Sequence, residues 1–216
     1  MAALWELTRT GVLLEHVGVT MTELAIGFSI GAVIGFVGGM LAGLNRTFRE
    51  MTNGWVTISL STPFPAIFPI LVVWFGLGIQ SKIALAVFAG FVPVWFNTRA
   101  GIVAVDPRLA EMTRAFGGKW WMVMRSVLLP GGMPAVMEGL RMGLGRAFIA
   151  VIVGELLASR SGLGYLINLS GQTLRMDQLL ATVVVVAAIT VALSAFMDRI
   201  QSLLVVRWWD ERHLAR

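Results

Sequence analysis

Residues 24–44 read LAIGFSIGAVIGFVGGMLAGL, a run without a single charged side chain. A helix needs roughly 20 apolar residues to cross the hydrocarbon core of a bilayer. Within the run, glycine recurs at every fourth position, at Gly27, Gly31, Gly35, Gly39 and Gly43. Residues four apart share one face of a helix, so the pattern predicts a smooth face on which a second backbone packs closely. The run therefore predicts a membrane-spanning helix whose glycines serve packing.

The composition of the whole chain indicates the same class of protein. Of 216 residues, 57% are hydrophobic and 13% are charged, whereas a soluble domain carries roughly 25% charged residues. One globule of this size cannot bury so much apolar surface, so we expect lipid to be its solvent. The net charge of +5 is typical of basic cytoplasmic loops and does not by itself indicate nucleic-acid binding. Cysteine is absent, which excludes disulfides and thiolate chemistry, and the two histidines, His16 and His213, lie far apart in the chain.

The apolar runs predict an all-α, polytopic membrane protein with about five spans in one domain, 1–216. The expected spans cover about 19–44, 55–75, 82–103, 134–157 and 178–204. Residues 1–18 predict a short interfacial helix, and residues 45–53 and 159–177 predict a polar turn and a polar loop. The side that holds the loop 106–130 and the C-terminus carries eleven basic residues against four on the other side. This bias places that side in the cytoplasm.

The second span is interrupted by Pro63, Pro65 and Pro69. Proline removes a backbone donor and kinks a helix, and the carbonyls that it frees need partners in lipid. Ser59, Ser61 and Thr62 lie beside the break. A pore-lining role and a purely structural kink both remain open for this segment.

The fourth span carries Glu138, Arg141, Arg146 and Glu155, and charge at membrane depth is expected to be nearly confined to this span. Charged residues within a span usually mark functional sites. Glu138 and Arg141 share a face and could pair, although bracing of the cytoplasmic loop is favoured for both. Arg146 lies deeper, and attraction of an anion in transit remains open for it. The candidate translocation residues are Ser61, Thr62, Asn97 and Arg146.

The loop 106–130 is too long to be a simple connection. Asp106 as a cap and Pro107 at the first helical position predict the start of a helix. Leu109, Met112 and Phe116 follow at helical spacing, and Gly117 with Gly118 predicts its end. A second amphipathic segment covers 119–128 and is expected to stop at Pro130. The pattern favours docking of a partner over a helix pair that lies on the bilayer.

The spacing of Glu111, Gly117, Val127, Leu129 and Pro130 resembles the EAA motif of ABC importer permeases. The departure from that motif is Met112-Thr113, which stands where the family has Ala-Ala. Other stretches resemble the nitrate, sulfonate, taurine and bicarbonate branch of these permeases, namely 74–78, 105–107, 139–141, 154–155 and 162–164. Members of that branch often have one more helix before the first span, which this chain is expected to lack.

The resemblance implies a MetI-like type I importer permease in a bacterial plasma membrane. Its implied partners are two cytoplasmic ATP-binding subunits, a second permease copy (as a homodimer), an extracytoplasmic solute-binding protein and membrane lipid, with no nucleic acid. The implied cargo is a small anion such as a sulfonate, taurine, nitrate or bicarbonate. The residues implied at the ATPase are Glu111, Met112, Arg114, Ala115, Gly117, Val127, Leu129 and Pro130. At Gly117 the family role implies close approach and a sharp turn.

The chain is expected to be a non-catalytic subunit. A phosphate-binding Walker A loop requires Gly-x-x-x-x-Gly-Lys-Ser/Thr. The pair Gly118-Lys119 has Thr113 at the first glycine position and Trp120 after the lysine. No cofactor is therefore expected in this chain, and the resemblance implies that the partner ATPase binds ATP and Mg²⁺.

Two other classes of protein are alternatives to an importer permease. A proton- or sodium-coupled carrier needs ionisable residues in several spans and an internal repeat. A membrane-embedded enzyme needs a cluster of histidines or carboxylates at one depth, or a nucleophile with its base. The distribution of charge along the expected spans favours neither class.

Overall fold

The computed structural model describes residue 9 and residues 11–208, with side chains described as far as residue 203. This part of the chain is helical and contains no β-strand, which confirms the expected all-α fold. Its helices are α1 Val12–Leu44, α2 Arg46–Ser61, α3 Phe64–Phe75, α4 Ile79–Ala104, α5 Pro107–Ala115, α6 Trp120–Val123, α7 Leu129–Ala158, α8 Leu163–Gln172 and α9 Met176–Trp208. A π-helical turn, Met124–Leu128, joins α6 to α7.

Helix α4 lies at the centre, between the glycine-rich faces of α1 and α7. A Cβ atom at Gly35 of α1 would lie 2.5 Å from the carbonyl oxygen of Phe91 in α4. On the other side, a Cβ at Gly143 of α7 would lie 2.8 Å from the carbonyl oxygen of Gly90. All five glycines of the predicted stripe meet α4 in this way, at Gly27, Gly31, Gly35, Gly39 and Gly43. The predicted packing role of the stripe is therefore confirmed.

The long helices run in alternating directions between two ends of the bundle. We call the end that holds α5 the loop end and the opposite end the far end. At the far end, Leu13 of α1 packs with Leu163 of α8 and Ala181 of α9. Toward the loop end, Met197 of α9 packs with Leu144 of α7. Among the described residues, helices α1, α4 and α9 are long and apolar enough to cross a membrane, and the count rises to as many as five if each bent helix pair is one span.

Two expected boundaries near the start of the chain are wrong. Helix α1 begins at Val12, so residues 12–18 continue the first long helix and are not a separate interfacial segment. Residues 1–8 and 10 lie outside the described part. Helix α2 begins at Arg46, because the Asn45 side chain accepts a hydrogen bond from the Phe48 N–H at 3.1 Å and caps the helix. The expected polar turn at 45–53 is therefore mostly helix.

The predicted proline break is confirmed. Helices α2 and α3 meet at Thr62 and Pro63 with a bend of 102°. Thr62 has an extended backbone, which is what a residue before proline favours. Together the two helices carry the chain from the loop end to the far end, where Gly76–Gly78 leads into α4.

Pro130 does not stop the second loop segment, contrary to expectation. It is the second residue of α7, and the helix is continuous from Trp120 to Ala158. The π-helical turn lies directly before it, where the Leu129 N–H bonds to the Met124 carbonyl. Proline lacks an N–H and its ring clashes with the carbonyl four residues earlier. The wider π turn gives that ring room, so the helix passes through the proline.

The expected polar loop at 159–177 contains a helix. Helix α8 covers Leu163–Gln172 and begins after Gly162, whose φ is +100°. The glycines at 162 and 164 predict a loop when read locally. In the fold they permit close contact with α7, because a Cβ at Gly164 would lie 2.7 Å from the Cβ of Glu155.

Candidate functional site

Helix α5 at the loop end is capped at both of its ends. The Asp106 carboxylate accepts a hydrogen bond from the Arg108 N–H at 2.9 Å, and Pro107 is the first helical residue. At the other end, the Gly117 N–H donates to the Arg114 carbonyl and the Gly118 N–H donates to the Thr113 carbonyl, both at 2.9 Å. This pair of bonds is a Schellman motif. The helix predicted from capping residues is therefore confirmed.

The two glycines after α5 are needed for different reasons. Gly117 has φ +83°, a conformation that residues with a side chain rarely adopt, but a Cβ there would meet no atom of this chain within 4 Å. Gly118 has the close contact, since its Cβ would lie 2.5 Å from the Thr113 carbonyl oxygen. The sequence interpretation missed this contact of Gly118 within the chain. The close approach expected at Gly117 concerns the ATPase and stays a prediction.

The large apolar residues of 106–122, at the loop end, face outward. Phe116 is 88% exposed, and α5 buries none of its residues in this chain. The other exposed apolar side chains here are Leu109, Met112, Trp120, Trp121 and Met122. The Arg114 guanidinium lies 5.7 Å from the centre of the Trp120 ring, close enough for a cation–π contact. We call the exposed residues of 106–122 the loop surface.

A groove of about 390 Å³ separates α5 from the π-helical turn. Leu109, Met112 and Phe116 line one side, and Val127 and Pro130 line the other. The motif residues divide into two sets by their exposure. Those that are exposed are Glu111, Met112, Arg114, Ala115 and Gly117. Those that are half-buried, in the π-helical turn and at the start of α7, are Val127, Leu129 and Pro130.

Three of the four candidate translocation residues line one cleft of about 230 Å³ in the middle of the bundle. Ser61 and Thr62 at the proline break face it together with Arg146 of α7. The fourth candidate, Asn97, lies elsewhere, where its amide donates to the Pro93 carbonyl at 2.9 Å. The Thr62 hydroxyl donates to the Ile58 carbonyl at 2.7 Å, so it stabilises the end of α2 as well. The polar residues of the break thus have a structural role and a place in the cleft.

The arginines of α7 differ in their surroundings. Arg141 forms an ion pair with Asp198 of α9 at 2.9 Å, and not with Glu138 as its spacing allowed. Arg146 is half-buried, and no described carboxylate lies within 4.0 Å of its guanidinium nitrogens. Its positive charge is therefore available to the cleft that it lines.

A cluster of buried charges at the far end was missed. Glu23 of α1 is 1% exposed and Lys82 of α4 is 4% exposed, so buried charge is not nearly confined to the fourth span, contrary to expectation. Glu155 of α7 is buried beside them and accepts a hydrogen bond from the Thr20 hydroxyl at 2.7 Å. Glu23 and Lys82 stand at the ends of apolar runs in the sequence, and only the fold shows that they are buried. Among the described residues there is no group of three or more side chains suited to hold a metal ion.

A protein-family model and individual relatives both match most of this chain. The family model for the inner membrane component of binding-protein-dependent transport systems matches residues 24–210. The aliphatic sulfonates transport permease protein SsuC of Bacillus subtilis is 31% identical over 203 residues, covering 94% of this chain and 73% of that protein. The taurine transport system permease protein TauC of Escherichia coli is 30% identical over 187 residues, covering 87% and 68%.

A solved structure of the MetNI methionine ABC transporter in an inward-facing conformation has the same fold. The match has a TM-score of 0.78 at 20% identity and covers 89% of this chain and 96% of that chain. This likeness supports the MetI-like arrangement of the helices. The chain therefore belongs to the family of inner membrane components of binding-protein-dependent transport systems, and it is a non-catalytic permease subunit of an ABC importer.

Proposed function

We propose that this permease imports a small organosulfonate and that the loop surface receives the movement of a cytoplasmic ATPase. The observation that carries the coupling role is α5, a helix capped at both ends whose apolar residues have no partner within the described chain. Aromatic and aliphatic side chains on a rigid element are typical anchors of protein interfaces. The names of the relatives, which specify aliphatic sulfonates and taurine, support the choice of cargo.

The contact with the ATPase is formed by the exposed motif residues. Met112 and Phe116 supply apolar surface beside the groove, and Glu111 and Arg114 supply charge of both signs. The half-buried residues Val127, Leu129 and Pro130 act indirectly, because they hold the second wall of the groove in place.

Movement reaches the cleft through α7. The helix is continuous from Trp120 to Ala158, so a displacement of the loop surface shifts Arg146 against the proline break at Ser61 and Thr62. The π-helical turn Met124–Leu128 lies between the two sites, and such turns are frequent at functional positions. A sulfonate carries a full negative charge, and the Arg146 guanidinium is suited to bind it. Asn97 is a polar contact nearer the loop end.

The coupling role is tested by Gly117→Val. A side chain at a positive φ costs about 1–2 kcal/mol and disturbs the Schellman turn. We expect the variant to lose co-purification with the ATPase while the permease remains folded. Gly11→Val is the matched control, because Gly11 has φ +76° in the left-handed region, nothing within 4 Å of its Cβ, and lies at the far end. Retention of the ATPase by Gly117→Val, or equal loss in both variants, would contradict the proposal.

The path is tested by Arg146→Gln in the importer reconstituted with its ATPase and its binding protein. We expect uptake of labelled ethanesulfonate to be abolished while assembly of the complex is preserved. Arg175→Gln, which changes an exposed arginine at the far end, serves as the control. Normal uptake in Arg146→Gln would rule out the anion path, and uptake of nitrate or bicarbonate in place of the sulfonate would change the assigned cargo.

We propose one permease domain over 1–216, in a homodimer, with the loop end in the cytoplasm and the far end toward the binding protein. The chain contains no cysteine, so single cysteines introduced at Lys119 and Arg175 can report the orientation. A membrane-impermeant maleimide added to intact cells should label position 175 and not position 119. The reverse labelling would invert the topology. The mass of the purified permease in detergent tests the homodimer.

A further inference from the structure

An open cleft of about 590 Å³ lies at the far end, remote from the loop surface. It is bounded by the first half of α1, the connection before α4 and the connection after α7. Its walls are largely apolar, with Val19, Leu77, Ile79 and Ala158. Its charged lining residues are Glu23, Lys82 and Arg160.

Glu23 brings an unsatisfied acceptor to this cleft. Its side chain is 1% exposed, and no donor among the described residues is within hydrogen-bond distance of Oε2. Its other oxygen, Oε1, lies 3.9 Å from the Lys82 ammonium. Both oxygens of the Glu155 carboxyl accept hydrogen bonds from other groups, namely the Thr20 hydroxyl and the Gly164 N–H, both at 2.7 Å. A buried oxygen without a donor is costly, so a ligand that supplies a donor gains affinity there.

Two cations line the same cleft as Glu23. The Lys82 ammonium reaches the carbonyls of Leu77 and Gly78 only at 3.5 and 3.3 Å, which are long distances for hydrogen bonds. Arg160 is exposed, and no described carboxylate lies within 4.0 Å of its nitrogens. The cleft therefore presents an acceptor for a positively charged donor together with two groups that attract an oxyanion.

We propose that this cleft binds a small zwitterion, with its protonated amine at Glu23 and its sulfonate or phosphate group at Arg160 and Lys82. An aminoalkanesulfonate has this chemistry, and so has the headgroup of an ethanolamine phospholipid. The inference rests on the proposed function in one respect: it selects aminated compounds among the sulfonates. The far-end cleft is separate from the Arg146 cleft, so the two sites can be tested separately.

The test measures binding to the complete permease–ATPase complex in phosphatidylcholine nanodiscs, without the binding protein. The probes are 2-aminoethanesulfonate and ethanesulfonate, which differ only in the amine, and the readout is saturation-transfer NMR. We expect the aminated probe to bind at least tenfold more tightly. Glu23→Gln should remove this preference, and Arg160→Gln should weaken the binding of the aminated probe. The controls Glu50→Gln and Arg175→Gln alter exposed charges outside the cleft and should bind as the unaltered complex does.

Phosphatidylethanolamine in the nanodiscs distinguishes the two sources of the ligand. If lipid occupies the cleft, native mass spectrometry should show phosphatidylethanolamine retained by the unaltered complex and lost in Arg160→Gln, and the lipid should displace the aminated probe. If Glu23→Gln does not assemble, Arg160→Gln and the comparison of the two probes still show whether the cleft binds a zwitterion. Equal binding of both probes, or binding of neither together with no retained phosphatidylethanolamine, would overturn the inference. If the importer still takes up the sulfonate in that case, the proposed function stands without the far-end binding site. If instead Gly117→Val retains the ATPase, the coupling proposal fails and the inference about the far-end cleft stands.

Discussion

The two ends of the bundle differ in whether their polar and apolar groups contact other helices of the chain. At the far end, three successive backbone N–H groups at the start of α8 are each bound by a side chain of another helix. Gly162 donates to His16 Nδ1 at 2.9 Å, Leu163 to the Thr20 hydroxyl at 2.9 Å, and Gly164 to Glu155 at 2.7 Å. At the loop end, α5 is also capped, but only by its own neighbours in the chain, and its apolar face is exposed.

The far end is thus stabilised by contacts within the chain, whereas the loop end presents an apolar surface to a partner. The far end joins α1, α7 and α8 into one network, with Lys82 of α4 beside it. Substitutions there should therefore lower the stability of the isolated permease. The loop end keeps its shape through local caps, so substitutions on its surface should affect association and leave folding unchanged.

The largest effect is expected where α1 meets α4. Gly35→Leu places a side chain against the Phe91 carbonyl, from which its Cβ would be 2.5 Å distant. Overpacking costs about 3 kcal/mol or more when backbone has to move, so we expect no folded protein by size-exclusion chromatography. Gly18→Leu is the control in the same helix, because a Cβ at Gly18 meets nothing within 4 Å. A folded Gly35→Leu protein would contradict the close packing of α1 on α4.

The next effect concerns the far-end network. Glu155→Ala leaves the buried Gly164 N–H without its acceptor, and such an unpaired group costs about 1–3 kcal/mol. The Thr20 hydroxyl also loses its shorter hydrogen bond and keeps only the His16 carbonyl, at 3.1 Å. We expect a clear fall in the midpoint of thermal unfolding, with Glu155→Gln intermediate because its amide keeps one acceptor. Glu138→Ala changes an exposed glutamate in the same helix and should leave the midpoint unchanged. Equal midpoints for Glu155→Ala and Glu138→Ala would show that the network does not stabilise the fold.

A smaller effect, measured on association, is expected at the loop end. Phe116→Asp should weaken binding of the ATPase by about 2 kcal/mol, or roughly 30-fold, because an aromatic anchor is lost. The midpoint of unfolding of the isolated permease should stay the same, since Phe116 is 88% exposed. Leu174→Asp alters an exposed apolar residue at the far end and controls for added charge. A destabilised permease with unchanged ATPase affinity would reverse the contrast between the two ends.

The smallest effect is expected for the ion pair between α7 and α9. Arg141 and Asp198 lie 2.9 Å apart, but their side chains remain 43% and 53% exposed. Pairs in such positions contribute about 0.5 kcal/mol. Arg141→Gln and Asp198→Asn should each lower the free energy of unfolding slightly, and the double variant should lose no more than either alone. Additive losses in the double variant would show that the two groups do not interact.

Local patterns predicted the parts of the fold that local physics controls. The glycine spacing of α1, the caps of α5 and the proline break all depend on residues within a few positions of one another. Local signals failed where a distant contact decided the outcome. Pro130 stands inside a helix because the π turn before it relieves the clash, and the segment after Gly162 is helical because three side chains from other helices bind its first N–H groups.

The candidate site likewise has features that neighbouring residues predict and features that depend on contacts between distant parts of the chain. The sequence by itself determined a membrane protein with a capped, amphipathic loop, because composition, helix capping and helical period are properties of neighbouring residues. Only the tertiary structure decided that Ser61, Thr62 and Arg146 share a cleft while Asn97 lies apart. Only it brought Glu23, Lys82 and Glu155 together at the far end, because burial of a charge depends on partners that are distant in the chain. The physical reason is that each of these groups acquires its surroundings when α1, α4 and α7 pack, and no single stretch of sequence encodes that packing.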